Sequence, residues 1–376
     1  MARILFIDQY ATLGGGQRIL LDVVEAFAEE GHACVVALPG KGEVTEALDR
    51  LGVRHEPLPV PELSAGKKGL PDFLRFLAGS RKLARAIKAL SRDVGADIVY
   101  VNGPRCILGA VLAKVEPVVI AIHLIHGGFE RRLLAWCFAR PEVRLVTFCS
   151  RFAMEPFAGL AKGRIFENWV SPAILEAPDS RAASRRELGL EEREVAVGVL
   201  GRISPFKGQA FLCKALLPVL REASPIRLFV AGAKDHETQG EDLPKSPFIR
   251  EMGKVPAPAR FLDAMDILVV PSLWEEPFGL VAIEGMARGL PVVATRSGCL
   301  PEIVEDGTTG LVVPKTEEGL RGAIESLTQD RAKRESMGSA GRAKTIHRFE
   351  PRRRLSELIG LVLDLKRELP GRPRTS

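Results

Sequence analysis

Aromatic residues make up only 6% of this 376-residue chain, and no nucleic-acid-binding motif accompanies its formal net charge of +6. Nucleic acid is therefore not the expected partner, and an anionic membrane face or an anionic small substrate accounts better for the basic balance. The six cysteines, Cys34, Cys106, Cys137, Cys149, Cys213 and Cys299, form no C-x-x-C pair and lie mostly in apolar segments. That argues against a disulfide framework and against a zinc site. No uninterrupted apolar run is long enough to span a bilayer, and the start M-A-R-I-L-F-I-D enters a strand instead of a cleavable signal. A cytoplasmic protein is expected. No internal repeat or low-complexity tract is evident.

What is present is 46% hydrophobic and 27% charged, the balance of a soluble globular chain whose length suits two domains. Short apolar strand patterns alternate with helical ones along both halves, which predicts an α/β protein with parallel sheets. A polar, Arg- and Ser-containing run from Glu176 to Glu194 marks the connection. The expected division is a first domain over 1–175, a second over 176–348, and a terminal helix and tail over 349–376. In the first half, a Gly- and Lys-containing loop after Leu63 leads into a helix carrying Arg75, Arg81, Lys82, Arg85, Lys88 and Arg92, interleaved with Leu83, Ile87 and Leu90. Such a helix either packs one face on a sheet and solvates the other, or lies on an anionic membrane surface.

The most informative stretch runs from Val269 to Pro291, V-V-P-S-L-W-E-E-P-F-G-L-V-A-I-E-G-M-A-R-G-L-P. Its branched strand, Ile267 to Val270, reads as a parallel strand covered on both faces. Pro271 and Ser272 stop it, Pro277 suits the first position of a helix, and the helix should end near Gly289. Free amides around Phe278, Gly279 and Leu280 at this helix start suit an anion. Two carboxylates frame it, Glu276 and Glu284, eight residues and therefore about 12 Å apart if helical. Glu284 lies among apolar neighbours, where a hydroxyl-bearing ligand is a natural partner; structural roles in a cap and a core ion pair are the alternative.

With the downstream S-G-C-L-P-E-I-V-E-D-G-T-T-G-L-V-V-P, this segment resembles the donor-binding half of the family 4 (GT4) retaining glycosyltransferases, also described as glycosyl transferases group 1. The resemblance implies a GT-B fold: two Rossmann-like, doubly wound parallel-sheet domains facing a cleft, with a C-terminal helix crossing back to the first. It implies a nucleotide diphosphate sugar as co-substrate, with no separate cofactor and no metal. Glu276 would contact the donor sugar, Phe278, Gly279 and Leu280 the sugar or phosphate, and Glu284 the nucleotide ribose. Gly285 departs from the alanine usual in the family, at up to ~1 kcal/mol of helix propensity.

Other positions gain meaning from the same resemblance. Arg202 and Lys207 bracket a Ser-Pro turn after the strand Val195 to Leu200, where two cations and a helix start can neutralise a departing diphosphate in place of a metal. The run Gly14-Gly15-Gly16, ahead of a helix expected from about Gln17, is either a tight turn or a place where backbone approaches a ligand; the family's counterpart loop nears donor phosphates or acceptor, which makes Gly15 and Gly16 donor-site candidates. The strand Val118 to Ile122 delivers His123 to a sheet edge, and family members carry a histidine there, near the reaction centre. His126 is the fallback. His123 and Glu276 are thus the catalytic candidates, although the donor's own phosphate is an alternative base. The acceptor is expected to be a glycan, a lipid-linked or a small-molecule acceptor, with peripheral contact to an anionic membrane. Competing functions are a nucleotide-sugar epimerase of the same fold and a non-catalytic nucleotide-sugar-binding scaffold.

Overall fold

The computed structural model of the chain describes residues 1–61, 70–123, 128–234 and 242–367. His126, the loop over 62–69 and the tail over 368–376 lie outside them. The chain forms two compact units: Met1–Glu167 with the chain from Arg352 onward, and Asn168–Pro351.

The first unit is built on seven strands, β1 (Arg3–Ile7), β2 (Ala33–Leu38), β3 (Arg54–Pro57), β4 (Ile98–Val101), β5 (Val118–Ile122), β6 (Val143–Phe148) and β7 (Gly163–Ile165). They are paired in the order β3-β2-β1-β4-β5-β6-β7. The second has six, β8 (Val195–Leu200), β9 (Ile226–Ala231), β10 (Ile249–Gly253), β11 (Ile267–Val270), β12 (Val292–Thr295) and β13 (Gly310–Val313), in the order β10-β9-β8-β11-β12-β13. Every adjacent pair is parallel. Central strands such as β5 and β11 are buried throughout, which is why they carry unbroken branched aliphatics instead of alternating polar residues. In each unit the strand order reverses once, between β1 and β4 and between β8 and β11. Sheets of this kind open a crevice for ligands there, at the carboxyl ends of the strands.

Helices cover both faces by simple periodicity. Gly15–Glu29 buries Ile19, Leu20, Val23, Val24 and Phe27, one stripe of a 3.6-residue repeat. It begins two residues before the position expected from the sequence, so Gly15 and Gly16 form its first turn and Gly14 its cap. The basic helix Leu70–Asp93 buries Leu83 and Ile87, whereas Arg75, Arg81, Lys82, Arg85, Lys88 and Arg92 are exposed. Among the described residues, no helix is long and apolar enough to cross a membrane. All six cysteines are free thiols.

Residues 168–175, assigned to the first domain from the sequence, belong to the second unit. Trp169 and Val170 are fully enclosed, and the Val170 amide donates to the Phe349 carbonyl at 3.0 Å. Arg288, paired with buried Asp263 at 2.7 Å, donates to the carbonyls of Ile174 and Ala177 at 3.1 and 2.8 Å. The last described helix, Pro351–Arg367, returns to the first unit from Arg352. There Lys366 meets Asp97 at 3.0 Å, and the Arg354 guanidinium lies 4.1 Å from the centre of the Phe166 ring.

Candidate active site

At the β8/β11 edge, two loops are locked together before any ligand is considered. After β8 the chain turns through Gly201 to Gly208 over the buried amide of Gln209. Its Nε2 donates to the carbonyls of Gly201 (3.2 Å) and Arg202 (2.9 Å), while its Oε1 accepts from the Ser204 amide at 3.3 Å. Gly208 then caps the next helix with φ 75°, and a Cβ there would fall 2.1 Å from the Pro271 carbonyl oxygen of the loop after β11. The Leu273 and Trp274 amides donate back to the Phe206 carbonyl at 2.9 and 3.3 Å. Only glycine fits both the conformation and the space at 208.

This docking brings Lys207 onto Glu276. The ammonium lies 2.7 Å from Glu276 Oε1, which also accepts from Ser272 Oγ at 2.5 Å. Glu276 is buried, while the Lys207 side chain is 35% exposed and sits 5.2 Å from the centre of the Trp274 ring. The ion pair thus has one desolvated member and one open to a ligand. The loop after β12 braces it: the Cys299 amide donates to the Glu276 carbonyl at 2.9 Å, and at Gly298 (φ 52°) a Cβ would fall 2.1 Å from that same oxygen. Glu275, beside it, points elsewhere, to Lys315 at 2.7 Å, whose hydrogen bond holds its carboxyl below the usual range.

The helix that follows runs Leu280–Ala287, with Gly279 as cap at φ 100°, ψ 56°. Pro277 is therefore not its first residue. The turn needs the left-handed region, which proline cannot enter and glycine can. The stretch from Glu276 to Gly279 is accordingly not helical, so the axial estimate of Glu276–Glu284 separation does not apply. Gly279 has no side chain to cap this helix, and the amides of its first turn suit water or a ligand. Phe278 packs edge-on against Phe349, and Glu284 is buried within the helix. Gly285 has a packing reason: a Cβ there would meet Leu268 Cδ2 at 2.2 Å, so the helix rides close on β11 because the residue is glycine.

The structure thus brings Lys207 and Glu276 into contact, has Phe278, Gly279 and Leu280 following Glu276 in the chain, and puts Arg202 on the same loop after β8 as Lys207, with its side chain exposed. Gly15, Gly16 and His123 belong to the first unit, at its β1/β4 edge. There Asp8, at the end of β1, is fully buried and accepts from Asn102 Nδ2 (2.5 Å), from Gln17 Nε2 (3.0 and 3.2 Å to its two oxygens) and from the Tyr10 amide (2.9 Å). Asn102 Oδ1 faces His123 Nε2 at 2.9 Å, and a Cβ on Gly16 would touch the His123 ring at 3.7 Å. Burial raises the Asp8 carboxyl above its usual range against four hydrogen bonds that lower it, and burial pushes His123 down to about 4. Asp8, Gln17, Ser272, Gln209 and Trp274 were not legible as site residues: Asp8 and Trp274 take their meaning from distant partners, Asn102 and Lys207, whereas Gln17, Ser272 and Gln209 bond within nine positions along non-helical turns whose geometry the sequence does not show.

Among the described residues no group of three His, Cys, Asp or Glu side chains is placed to hold a metal ion. A cavity of ≈ 440 Å³ lies instead at the amino ends of β8, β11 and β12, lined by Arg181, Arg185, Arg331, Asp266 and Glu335 among others. Its charges are taken up by pairs such as Arg185–Asp266 at 2.8 Å and Arg331–Glu335 at 2.7 Å, which is a structural use.

Residues 194–330 match the family model described as Glycosyl transferases group 1, and residues 14–162 that of the Glycosyl transferase 4-like domain. A GDP-mannose-dependent alpha-(1-6)-phosphatidylinositol monomannoside mannosyltransferase of Mycolicibacterium smegmatis is 32% identical over 240 residues, 59% of this chain and 62% of that protein. A D-inositol 3-phosphate glycosyltransferase of Segniliparus rotundus is 36% identical over 179 residues, 44% of this chain and 39% of that protein. The chain thus spans less than two thirds of the length of these curated relatives. Among solved structures, Anabaena HepE in complex with UDP-glucose superposes with a TM-score of 0.80 at 20% identity, over 97% of this chain and 100% of that one. Sucrose-phosphate synthase from Thermosynechococcus elongatus superposes at 0.78 with 20% identity, over 97% and 99%. These likenesses establish the fold as GT-B.

Proposed function

The chain belongs to the group 1 glycosyl transferases, and from that premise we propose that it moves a sugar from a nucleotide diphosphate sugar to an acceptor hydroxyl. The observation that carries this reading is the Lys207–Glu276 pair beside an uncapped helix start at the sheet's reversal point. A diphosphate suits the half-exposed ammonium, the Arg202 guanidinium and the first amides at Gly279 and Leu280, which together stabilise charge on the leaving group. Glu276, held by Ser272 and Lys207, is an acceptor for hydroxyls of the donor sugar, and Glu284 for the ribose. In the transfer, the bond from the anomeric carbon to the phosphate oxygen breaks and one to the acceptor oxygen forms. The acceptor's proton passes to the departing phosphate. Such a path retains configuration and needs neither metal nor other cofactor.

The acceptor is a hydroxyl-bearing glycan, lipid-linked or small molecule. The relatives' names include both a lipid-linked and a free phosphorylated inositol, which favours a phosphorylated polyol. Six exposed cations on the helix Leu70–Asp93 support peripheral contact with an anionic membrane on its cytoplasmic side.

Calorimetric titration with UDP, GDP, ADP and their sugar conjugates, repeated on Lys207→Ala and Glu284→Ala, tests the donor site. Saturable binding of one nucleotide, weakened at least tenfold by each substitution, is the expected result, and absence of any nucleotide binding sinks the proposal. Incubation with donor alone distinguishes transfer from epimerisation, since only an epimerase yields an isomeric donor.

A further inference from the structure

We propose that Asp8 and Asn102 are positioning residues that hold His123 as a single neutral tautomer, protonated at Nε2 and bare at Nδ1. The imidazole then offers at Nδ1 a hydrogen-bond acceptor, and neither a proton nor a positive charge.

The argument starts from the carboxylate. As the carboxylate Asp8 only accepts, and its orientation is fixed by Gln17 Nε2 and the Tyr10 amide. Asn102 has two amide hydrogens, and its Nδ2 faces two acceptors, Asp8 Oδ2 at 2.5 Å and the Gly16 carbonyl at 3.2 Å. Turning the amide over would set Oδ1 against a carboxylate oxygen and a carbonyl oxygen, three acceptors with no hydrogen between them. The orientation of Asn102 is therefore determined by its partners, and Oδ1 is directed at His123 Nε2, 2.9 Å away. An amide oxygen has no proton to give, so the proton on this contact belongs to His123.

Nδ1 completes the case. It is enclosed and has no hydrogen-bond partner among the described residues, so a proton there would find no acceptor among them, whereas a bare nitrogen lacks only a donor. Burial disfavours the imidazolium in the same direction. Among the described residues the titratable groups around the network are Asp8, reached through Asn102, the buried thiol of Cys106, and Arg105, which lies over Tyr10 at 4.5 Å; the Cys149 amide bonds to the Ile122 carbonyl at the neighbouring strand end. None of them supplies His123 with a stabilising negative charge at contact distance. An acceptor nitrogen in this place accepts a hydroxyl and repels a phosphate or carboxylate oxygen. Naming that hydroxyl as one of a sugar substrate rests on the transferase reading above; the tautomer does not.

Nitrogen-15 spectra of the full-length protein with labelled histidine, recorded from about pH 5 to 8, test this, with the His123 signals assigned by their loss in His123→Gln. His123 should show a protonated Nε2 and a bare Nδ1 at every pH, while solvent-exposed histidines titrate. Asn102→Asp sets a carboxylate against Nε2 and should raise the midpoint of His123 by about 1–2 pH units. It should also give transfer an acid limb that the wild type lacks. Asp8→Asn removes the charge that orients Asn102 and should give mixed tautomers. A wild-type His123 that titrates near its ordinary value, or that carries its proton on Nδ1, overturns the proposal. So do both variants showing the wild-type spectrum. Should the variants fail to fold, the wild-type spectrum decides alone. A locked tautomer without detectable transfer would count against the transferase reading only, and transfer with a titrating His123 against this one only.

Discussion

At the β8/β11 edge the buried carboxylate of Glu276 is met by an ammonium, whereas at the β1/β4 edge the buried carboxylate of Asp8 is met by the amides of Asn102 and Gln17. Both sit where the strand order of their sheet reverses. In the first case charge answers charge, and the cation is half-open, so an arriving anion finds a positive group that need not be dragged out of a closed pair. In the second no cation among the described residues is at contact, burial wins over hydrogen bonding, Asp8 is pushed up, and the histidine on the far side of the Asn102 amide stays neutral. One topology thus supports an edge suited to charge and an edge suited to dipoles. The difference lies in which side chains close the strands.

Breaking the ionic edge should have the largest effect. Glu276→Gln leaves Lys207 without its carboxylate, and transfer should fall by about 10²–10³, the size seen when one preorganised polar contact is lost from a site. Steady-state rates check this, and a loss smaller than threefold would remove Glu276 from the machinery. At the dipolar edge the expected signature is acid sensitivity. His123 is pushed down to about 4 in the folded chain from an ordinary 6.5, so the unfolded chain takes up the proton first as pH falls. The stability this neutral histidine contributes is complete above pH 6.5 and is lost between there and about 4, by up to about 3 kcal/mol. Denaturant midpoints of wild type and His123→Gln across that window should converge at acid pH; parallel curves would contradict the shift.

Smaller effects separate the loops from the charges they carry. Gly208→Ala forces a side chain into the left-handed region and against the Pro271 carbonyl, at about 2 kcal/mol and roughly 4–8 °C in melting temperature. It should also weaken nucleotide binding while leaving the His123 spectrum untouched, and a change at both edges would show that they are not independent. The smallest stability effect belongs to Lys82→Glu with Arg85→Glu, within about 0.5 kcal/mol because both side chains are exposed. Sedimentation with phosphatidylglycerol vesicles should nevertheless lose most bound protein relative to wild type, with phosphatidylcholine vesicles as the neutral control. Equal binding to both lipids would make that helix face merely solvated.

Much of the ionic edge could be read from the chain because its residues are near one another in sequence. Glu276, Phe278, Gly279, Leu280 and Glu284 fall within nine positions, and their strand–turn–helix context is set by local punctuation. The one local error, Pro277 as first helical residue, arose because proline and the left-handed glycine at 279 compete to define the same boundary, and the glycine decides it. The limit of the first unit was misplaced for a different reason: Trp169 and Val170 are apolar residues that suit either core, and only their packing and the reach of Arg288 to the carbonyls of Ile174 and Ala177 assign them.

By itself the sequence determined the α/β class, the strands that are covered on both faces, the helix start suited to an anion and the candidates Lys207, Glu276 and His123. The class, the strands and the helix start rest on periodicity and on residue types at short spacing, which the chain carries without folding, and the three candidates rest also on the family resemblance. Tertiary structure alone decided that Lys207 meets Glu276 across 69 positions, that Gly285 lets a helix ride on Leu268, and that Asp8 and Asn102, 94 positions apart, share a hydrogen. Those pairings depend on the order in which parallel strands assemble, because the sheet brings together strand ends that the chain keeps far apart.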